Sequence, residues 1–323
     1  MTTTQPAPGV DAAAIAALYR DMRLIRRVEE EVVRLYPSDR IKSPVHLSIG
    51  QEAVAAAVCG QMTRDDVLFS TYRGHATYLA KGGDLRAMWA ELYGRAGGCA
   101  RGKAGSMHLV DPAVNVVGTS AIVASGIPNA VGYALALRMR RSRQVVVCFF
   151  GEGATDEGVF HESVNFAALR RLPIVFVCEN NGYAIYSPVA ARMAGDLARR
   201  VASYDIPVTV VDDGDVFAMR DAARHALAAT RAGGGPAFLE VATMRWRDHV
   251  GPGDDLHHGY RSLQALEAAM HADQLARLAG LLTTAERTRI DADVEAAIAD
   301  AIAFAEDSPE PAPEEIFTHV HAD

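Results

Sequence analysis

The chain has 323 residues, half of them apolar and 22% charged, with a mean hydropathy of +0.03. That composition builds a sizeable core and excludes wholesale disorder. Against 40 Asp and Glu stand 32 Lys and Arg, a net charge of −8. This argues against a general nucleic-acid or membrane-surface binder, because both need excess positive charge.

The opening MTTTQPAPGV reads as a polar, disordered tail over residues 1–10, with no basic-then-apolar leader pattern. From Asp11 to Tyr36 apolar residues recur at helical spacing (Ile15, Leu18, Met22, Ile25, Val28, Val32, Leu35) until Pro37 stops the run. Gly50-Gln51-Glu52 opens a second helix, and VLFSTY (67–72) reads as a short buried strand. Residues 94–118 carry six glycines and little periodicity, which predicts a long loop of the kind usually kept for function. A small-residue helix follows over roughly 124–140. QVVVCFF (144–150) and PIVFVCEN (173–180) are continuous apolar strands, as expected where helices cover both faces of a sheet. A helix joins them, running to about Arg170. VTVVD (208–212) and AFLEVATM (237–244) are two more strands around a helix at 215–231, and an Ala-rich helical tail runs from Leu263 to Ala305. The alternation predicts an α/β fold with a doubly wound, mostly parallel sheet, as one domain over 11–320. Four cysteines without a CxxC pair, and no apolar run near the roughly 20 residues a membrane helix needs, make a reduced, cytoplasmic protein the expectation.

In such a sheet, ligands bind beyond the carboxyl ends of the strands. Two loops fall there: Gly151-Glu152-Gly153 and Asn180-Asn181-Gly182-Tyr183. With 26 residues between Gly153 and Asn180, enough for one helix and one strand, the loops are predicted to be neighbours. The glycines let backbone N–H groups approach a phosphate, and a helix N-terminus follows. Glu152 and Asn181 are hard oxygen donors of the kind that hold Mg²⁺ jointly with phosphate oxygens. The same strings also read as two ordinary turns. Gly97–Lys103 has the form G-x-x-x-x-G-K, but Ala104 stands where a P-loop has Ser or Thr, and no strand precedes it. Gly151-x-Gly153 is not followed by the third glycine of a dinucleotide fingerprint.

GEGATDEGVFHESVNFAALRRLPIVFVCENNGYAI resembles the thiamine-diphosphate motif. More narrowly, the chain resembles the alpha subunit of the decarboxylating first component of 2-oxo acid dehydrogenase complexes. That group spans the pyruvate, branched-chain 2-oxo acid and acetoin dehydrogenases. HLSIGQEA (46–53), STYRGHATYLAKGG (70–83), GRAGGCARGKAGSMHL (94–109), ASGIPNAVGYALAL (124–137) and, more loosely, MRWRDH (244–249) carry the likeness, which runs from about residue 15 to 320. The resemblance implies the thiamine-diphosphate-binding fold, with thiamine diphosphate and Mg²⁺ as cofactors. Glu152, the Asn181 side chain and the Tyr183 carbonyl would bind the metal. Gly151, Gly153 and Ala154, with Tyr72 and Arg73, would hold the diphosphate. Ala121 and Val123, with Ile122 between, would line the aminopyrimidine. His249, on the loop after the last strand, would be the active-site histidine, contacting cofactor and adduct. His75 and His108, beside Ser106 and Met107, would face the substrate channel.

The chemistry implied is thiamine-dependent decarboxylation and acyl transfer. The glutamate that activates the aminopyrimidine would come from a separate beta subunit in an α₂β₂ heterotetramer, so the lone chain is expected to be inactive. A lipoyl-bearing acyltransferase is the usual acyl acceptor. A carboligase or acyl-carrier variant and a non-catalytic homologue are the alternatives. Three departures stand out. Glu152 replaces the commoner Asp, Ala121 replaces Gly, and a longer loop over 250–261 has Val250 where some relatives carry a phosphorylated Ser.

Overall fold

The computed structural model describes residues 10–318 and 320. The tail expected over residues 1–10 lies, except for Val10, outside the described residues. Helix α1 (Ala12–Leu35) is capped by Asp11, whose side chain accepts from the Ala14 N–H. All seven apolar positions read from the sequence are buried along it. Helix α2 (Glu52–Cys59) and strand β1 (Val67–Thr71) follow, then two short helices, α3 (His75–Ala80) and α4 (Leu85–Leu92).

The glycine-rich stretch departs from expectation at its end. Residues 116–118 are not loop but the start of strand β2 (Val116–Ser120), which takes an edge of the sheet beside β1. The unit α5 (Gly126–Met139), β3 (Val146–Gly151), α6 (Gly158–Leu169) and β4 (Ile174–Asn180) comes next. A two-residue-per-strand hairpin, β5 (Tyr183–Ala184) and β6 (Ser187–Pro188), leads into α7 (Val189–Arg192) and α8 (Leu197–Ala202). Strand β7 (Val208–Val211), α9 (Val216–Ala229) and β8 (Ala237–Ala242) complete the sheet. The helical tail consists of three helices: α10 (Leu263–His271), α11 (Gln274–Ala279) and α12 (Thr284–Asp307).

The six strands run in the order β2-β1-β3-β4-β8-β7, and every pair is parallel. Side chains alternate between two cores. Val147 and Phe149 of β3, with Val175 and Val177 of β4, face the core built with α1, α2, α4 and α9. Cys148 and Phe150, with Phe176 and Cys178, face the core built with α5 and α6. Both faces are covered, which is why the strands are apolar throughout. The chain leaves β1 toward β2 on one side and returns as β3 on the other. The carboxyl ends of β1 and β3 therefore flank a switch point, where such sheets open a crevice. Among the described residues, no helix is long and apolar enough to cross a membrane.

Candidate active site

A cavity of about 330 Å³ opens at that switch point. Its floor is the ends of β1, β3 and β4; the register Gly151↔Glu179 brings the two predicted loops side by side. The start of α5 and the Glu157 cap of α6 line it too, so two helix N-termini border the space. That leaves backbone N–H groups and partial positive charge available to an anion.

Of the predicted residues, Tyr72, Arg73, Glu152, Asn181, Tyr183 and His249 all reach the cavity wall. So do Gly151, Gly153, Ala154 and Val123. Ala121 sits in the same turn as Ile122 and Val123, and those two line the cavity. The two other histidines sit elsewhere. His75 is fully buried; its Nε2 meets Ser106 Oγ at 2.7 Å and its Nδ1 lies 3.5 Å from Glu29. His108 Nδ1 is 3.2 Å from the Thr119 carbonyl. Neither is part of the cavity lining.

Arg73 defines the basic end. Its guanidinium donates to the carbonyls of Leu47 (2.6 Å) and His249 (3.2 Å). Among the described residues no carboxylate bonds to it, and burial pushes its pKa down. His249 stacks edge-on to Tyr72 (5.7 Å) and His46 (5.4 Å). Burial, Arg73 and Arg245 lower the His249 imidazole to about 4, so it is neutral at pH 7. The loop bearing His249 is pinned from beneath. Asp255 is fully buried and accepts from Arg245 Nη1 (3.0 Å), from Arg261 Nη2 (2.6 Å) and from the Tyr260 hydroxyl.

The acidic end is Glu152, only 1% exposed. Burial raises its pKa, while Arg192 and the N–H groups of Glu152 and Asn181 oppose the rise. Asn181 Oδ1 accepts from the Tyr183 N–H (3.1 Å) and its Nδ2 donates to Gln51 (3.1 Å). Gly182, at φ +84°, makes that tight turn in a region glycine enters freely. Among the further cavity residues that escaped the sequence reading are Gln51, Glu179 and Asp156. Gln51 and Glu179 stood inside recognised blocks, but nothing in the spacing showed which way they point.

The string Gly97–Lys103 has a different use. Both oxygens of the buried Glu91 carboxylate accept N–H bonds from this loop. They come from Ala100 (2.8 Å) and Gly102 (3.0 Å), and from Ala104 (2.7 Å) and Gly105 (3.0 Å). The loop wraps a carboxylate of its own chain where a P-loop wraps a phosphate.

The family profile described as "Dehydrogenase E1 component" matches residues 20–314. The chain belongs to the dehydrogenase E1 component family. The alpha subunit of acetoin:2,6-dichlorophenolindophenol oxidoreductase of Bacillus subtilis is 38% identical over 312 residues, covering 94% of this chain and 92% of that one. Its counterpart in Cupriavidus necator is 35% identical over 317 residues, with coverages of 97% and 95%. The pyruvate dehydrogenase E1 component subunit alpha of Rhizobium meliloti is 37% identical over 307 residues, with coverages of 94% and 88%. This E1 chain is thus an alpha-type subunit of the dehydrogenase class, as the resemblance in its sequence implies.

Proposed function

We propose that this E1 chain binds thiamine diphosphate with Mg²⁺ in the cavity at the switch point. In this reading it serves as the alpha subunit of a decarboxylating 2-oxo acid or acetoin dehydrogenase. One observation carries the reading. Among the described residues, a buried guanidinium without a carboxylate partner faces, across one cavity, a buried carboxylate, held meanwhile by Arg192, and an amide oxygen on adjoining turns. The first calls for an anion and the second for a cation; a metal diphosphate supplies both. The donor chemistry fits. Among the described residues no group of three His, Cys, Asp or Glu could cage a metal alone. That suits an ion whose remaining ligands are a carbonyl, phosphate oxygens and water.

Glu152, Asn181 Oδ1 and the Tyr183 carbonyl would hold the metal. Arg73 and Tyr72 would hold the diphosphate, helped by the N–H groups of Gly153 and Ala154, with Gly151 allowing close approach. Ala121 and Val123, through their backbone, would seat the aminopyrimidine beside Ile122. The coenzyme, when bound, supplies the carbon nucleophile and the electron sink for decarboxylation. His249, neutral and held by the Arg73 network, would donate or accept a proton beside the reacting carbon. His75 and His108 would act on the substrate channel through the loop that bears Ser106 and Met107. A beta subunit would supply the activating glutamate and complete an α₂β₂ assembly in the cytoplasm. An acyltransferase with a lipoyl arm would take the product.

The test is calorimetry on the chain co-purified with its beta subunit. Uptake of thiamine diphosphate that requires Mg²⁺ is expected, followed by CO₂ release from 2-oxo acids or dye reduction with acetoin. Magnesium-independent uptake, or none, overturns the reading, and turnover by the chain alone overturns the need for a partner.

A further inference from the structure

One side chain ties the turn that bears Glu152 to the hairpin β5–β6 beside the acidic end of the cavity. Arg192 closes α7. Its Nε donates to the Ser187 carbonyl at 3.2 Å, its Nη2 to Glu152 Oε1 at 2.7 Å, and its Nη1 to Asp156. The side chain is 14% exposed and Glu152 is 1% exposed, so this is an interior pair. Nη1 also lies 3.9 Å from where a Cβ on Gly153 would stand, beside the backbone assigned above to the diphosphate.

We infer that Arg192 is the site's built-in cation, which yields Glu152 to the incoming divalent ion and turns to the outer oxygens of the diphosphate. This rests on the proposed coenzyme site. A guanidinium and a divalent ion cannot share one buried carboxylate oxygen without strong like-charge repulsion. Arg192 Nη2 holds Oε1, so an ion that takes that oxygen displaces the Arg192–Glu152 bond. The bonds to Ser187 and Asp156 remain, so the guanidinium pivots instead of leaving. A metal arriving alone breaks a buried pair and leaves a cation with less compensation. A metal arriving with diphosphate gives the freed Nη2 a new charged acceptor. Metal and diphosphate must then strengthen each other's binding, by the same factor in either order.

The experiment measures Mn²⁺ binding to the full chain by the paramagnetic signal of free Mn²⁺. Inorganic pyrophosphate is present or absent, and the complex the two form in solution is subtracted. Wild-type chain is expected to bind Mn²⁺ weakly alone and about ten-fold or more tighter with pyrophosphate, within the usual range of coupling between sites. Arg192→Met and Arg192→Gln should bind Mn²⁺ alone about ten-fold tighter than wild type and lose most of the pyrophosphate effect. Arg192→Lys, which keeps the charge, should stay near wild type for Mn²⁺ alone. Circular dichroism checks that each variant is folded. If both neutral variants unfold, the wild-type coupling decides, and its absence overturns the proposal. Mn²⁺ binding by folded neutral variants that is no tighter than wild type overturns it as well. Wild-type chain co-purified with its beta subunit that takes up neither Mn²⁺ with pyrophosphate nor thiamine diphosphate would instead overturn the coenzyme site itself.

Discussion

Glu179 shows how far one carboxyl can be set against its surroundings. It lines the cavity beside Arg73, 8% exposed, and burial raises its pKa to about 7 although Arg73 and Gln51 pull the other way. The unfolded group titrates near 4.5. Between pH 4.5 and 7 the folded chain keeps a proton that the unfolded chain has released. The stability this group contributes is therefore whole below that window and falls through it as pH rises, by about 3 kcal/mol in all. His46 and His249 are lowered, to about 3 and about 4, and push in the opposite direction as pH falls. The comparison to make is thus wild type against Glu179→Gln, by urea unfolding at pH 5 and pH 7.5. The advantage of wild type over the variant should shrink by roughly 2 kcal/mol, most of that total; a constant difference would mean Glu179 does not titrate there. Glu152 and Asn181 were legible from the sequence because their spacing from two strands fixes them at one sheet edge. Glu179 and Arg192 were not, because their partners come from segments tens or hundreds of positions away. Arg192 reads as an ordinary surface arginine until the hairpin β5–β6 turns it inward.

At the scale of the element, two irregular segments owe their shape to single carboxylates. Glu91 gathers four backbone N–H groups, and Gly98 packs so close that an added Cβ would stand 2.7 Å from Glu91 Cα. Removing Glu91 leaves four partly buried donors to find water. Glu91→Ala should lower stability by roughly 3 kcal/mol. It should also open residues 94–105 to limited proteolysis, and cleavage at the wild-type rate would count against this account. The glycine string was visible in the sequence; its anion was not, since Glu91 stands in the preceding helix and reads as a solvent-facing residue. Asp255 plays the equivalent part below His249. Asp255→Ala strands the buried guanidinium groups of Arg245 and Arg261, and a loss of roughly 3–5 kcal/mol is expected. Chemical denaturation measures it, and a loss below 1 kcal/mol, by the same yardstick, would show the loop is held by other means. Strand β2 went unread because VVGTS is interrupted by Gly118 and half-exposed, so it lacks the apolar run that announced β3 and β4.

The whole molecule leaves the mouth of its cavity rimmed with apolar surface. Ile122 is 72% exposed, Ile185 53% and Val123 47%, and all three line the cavity. A beta subunit closing over the coenzyme would cover this rim. Ile122→Asp should weaken the co-purified assembly at least ten-fold while leaving the chain folded, because one buried aliphatic side chain contributes about 1.5–3 kcal/mol. Analytical ultracentrifugation across a dilution series reads the effect, and an unchanged dissociation constant would remove Ile122 from the interface. The parallel sheet and its binding edge were legible as a whole, since alternation of buried strands and helices admits few architectures. The order of the outer strands was not, because it depends on which side of the sheet each connection crosses.

The last long helix has a consequence of its own. Helix α12 buries Ile290, Val294, Ile298, Ala301 and Ala305 against α4 and α1, the helix that begins the described chain. During synthesis on the ribosome, α1 and α4 are made long before α12, although α2 and α3, which also pack on α1, follow it at once. Until roughly residue 305 clears the exit tunnel, the faces of α4 and α1 that meet α12 stay uncovered, and holding chaperones have their natural moment to act there.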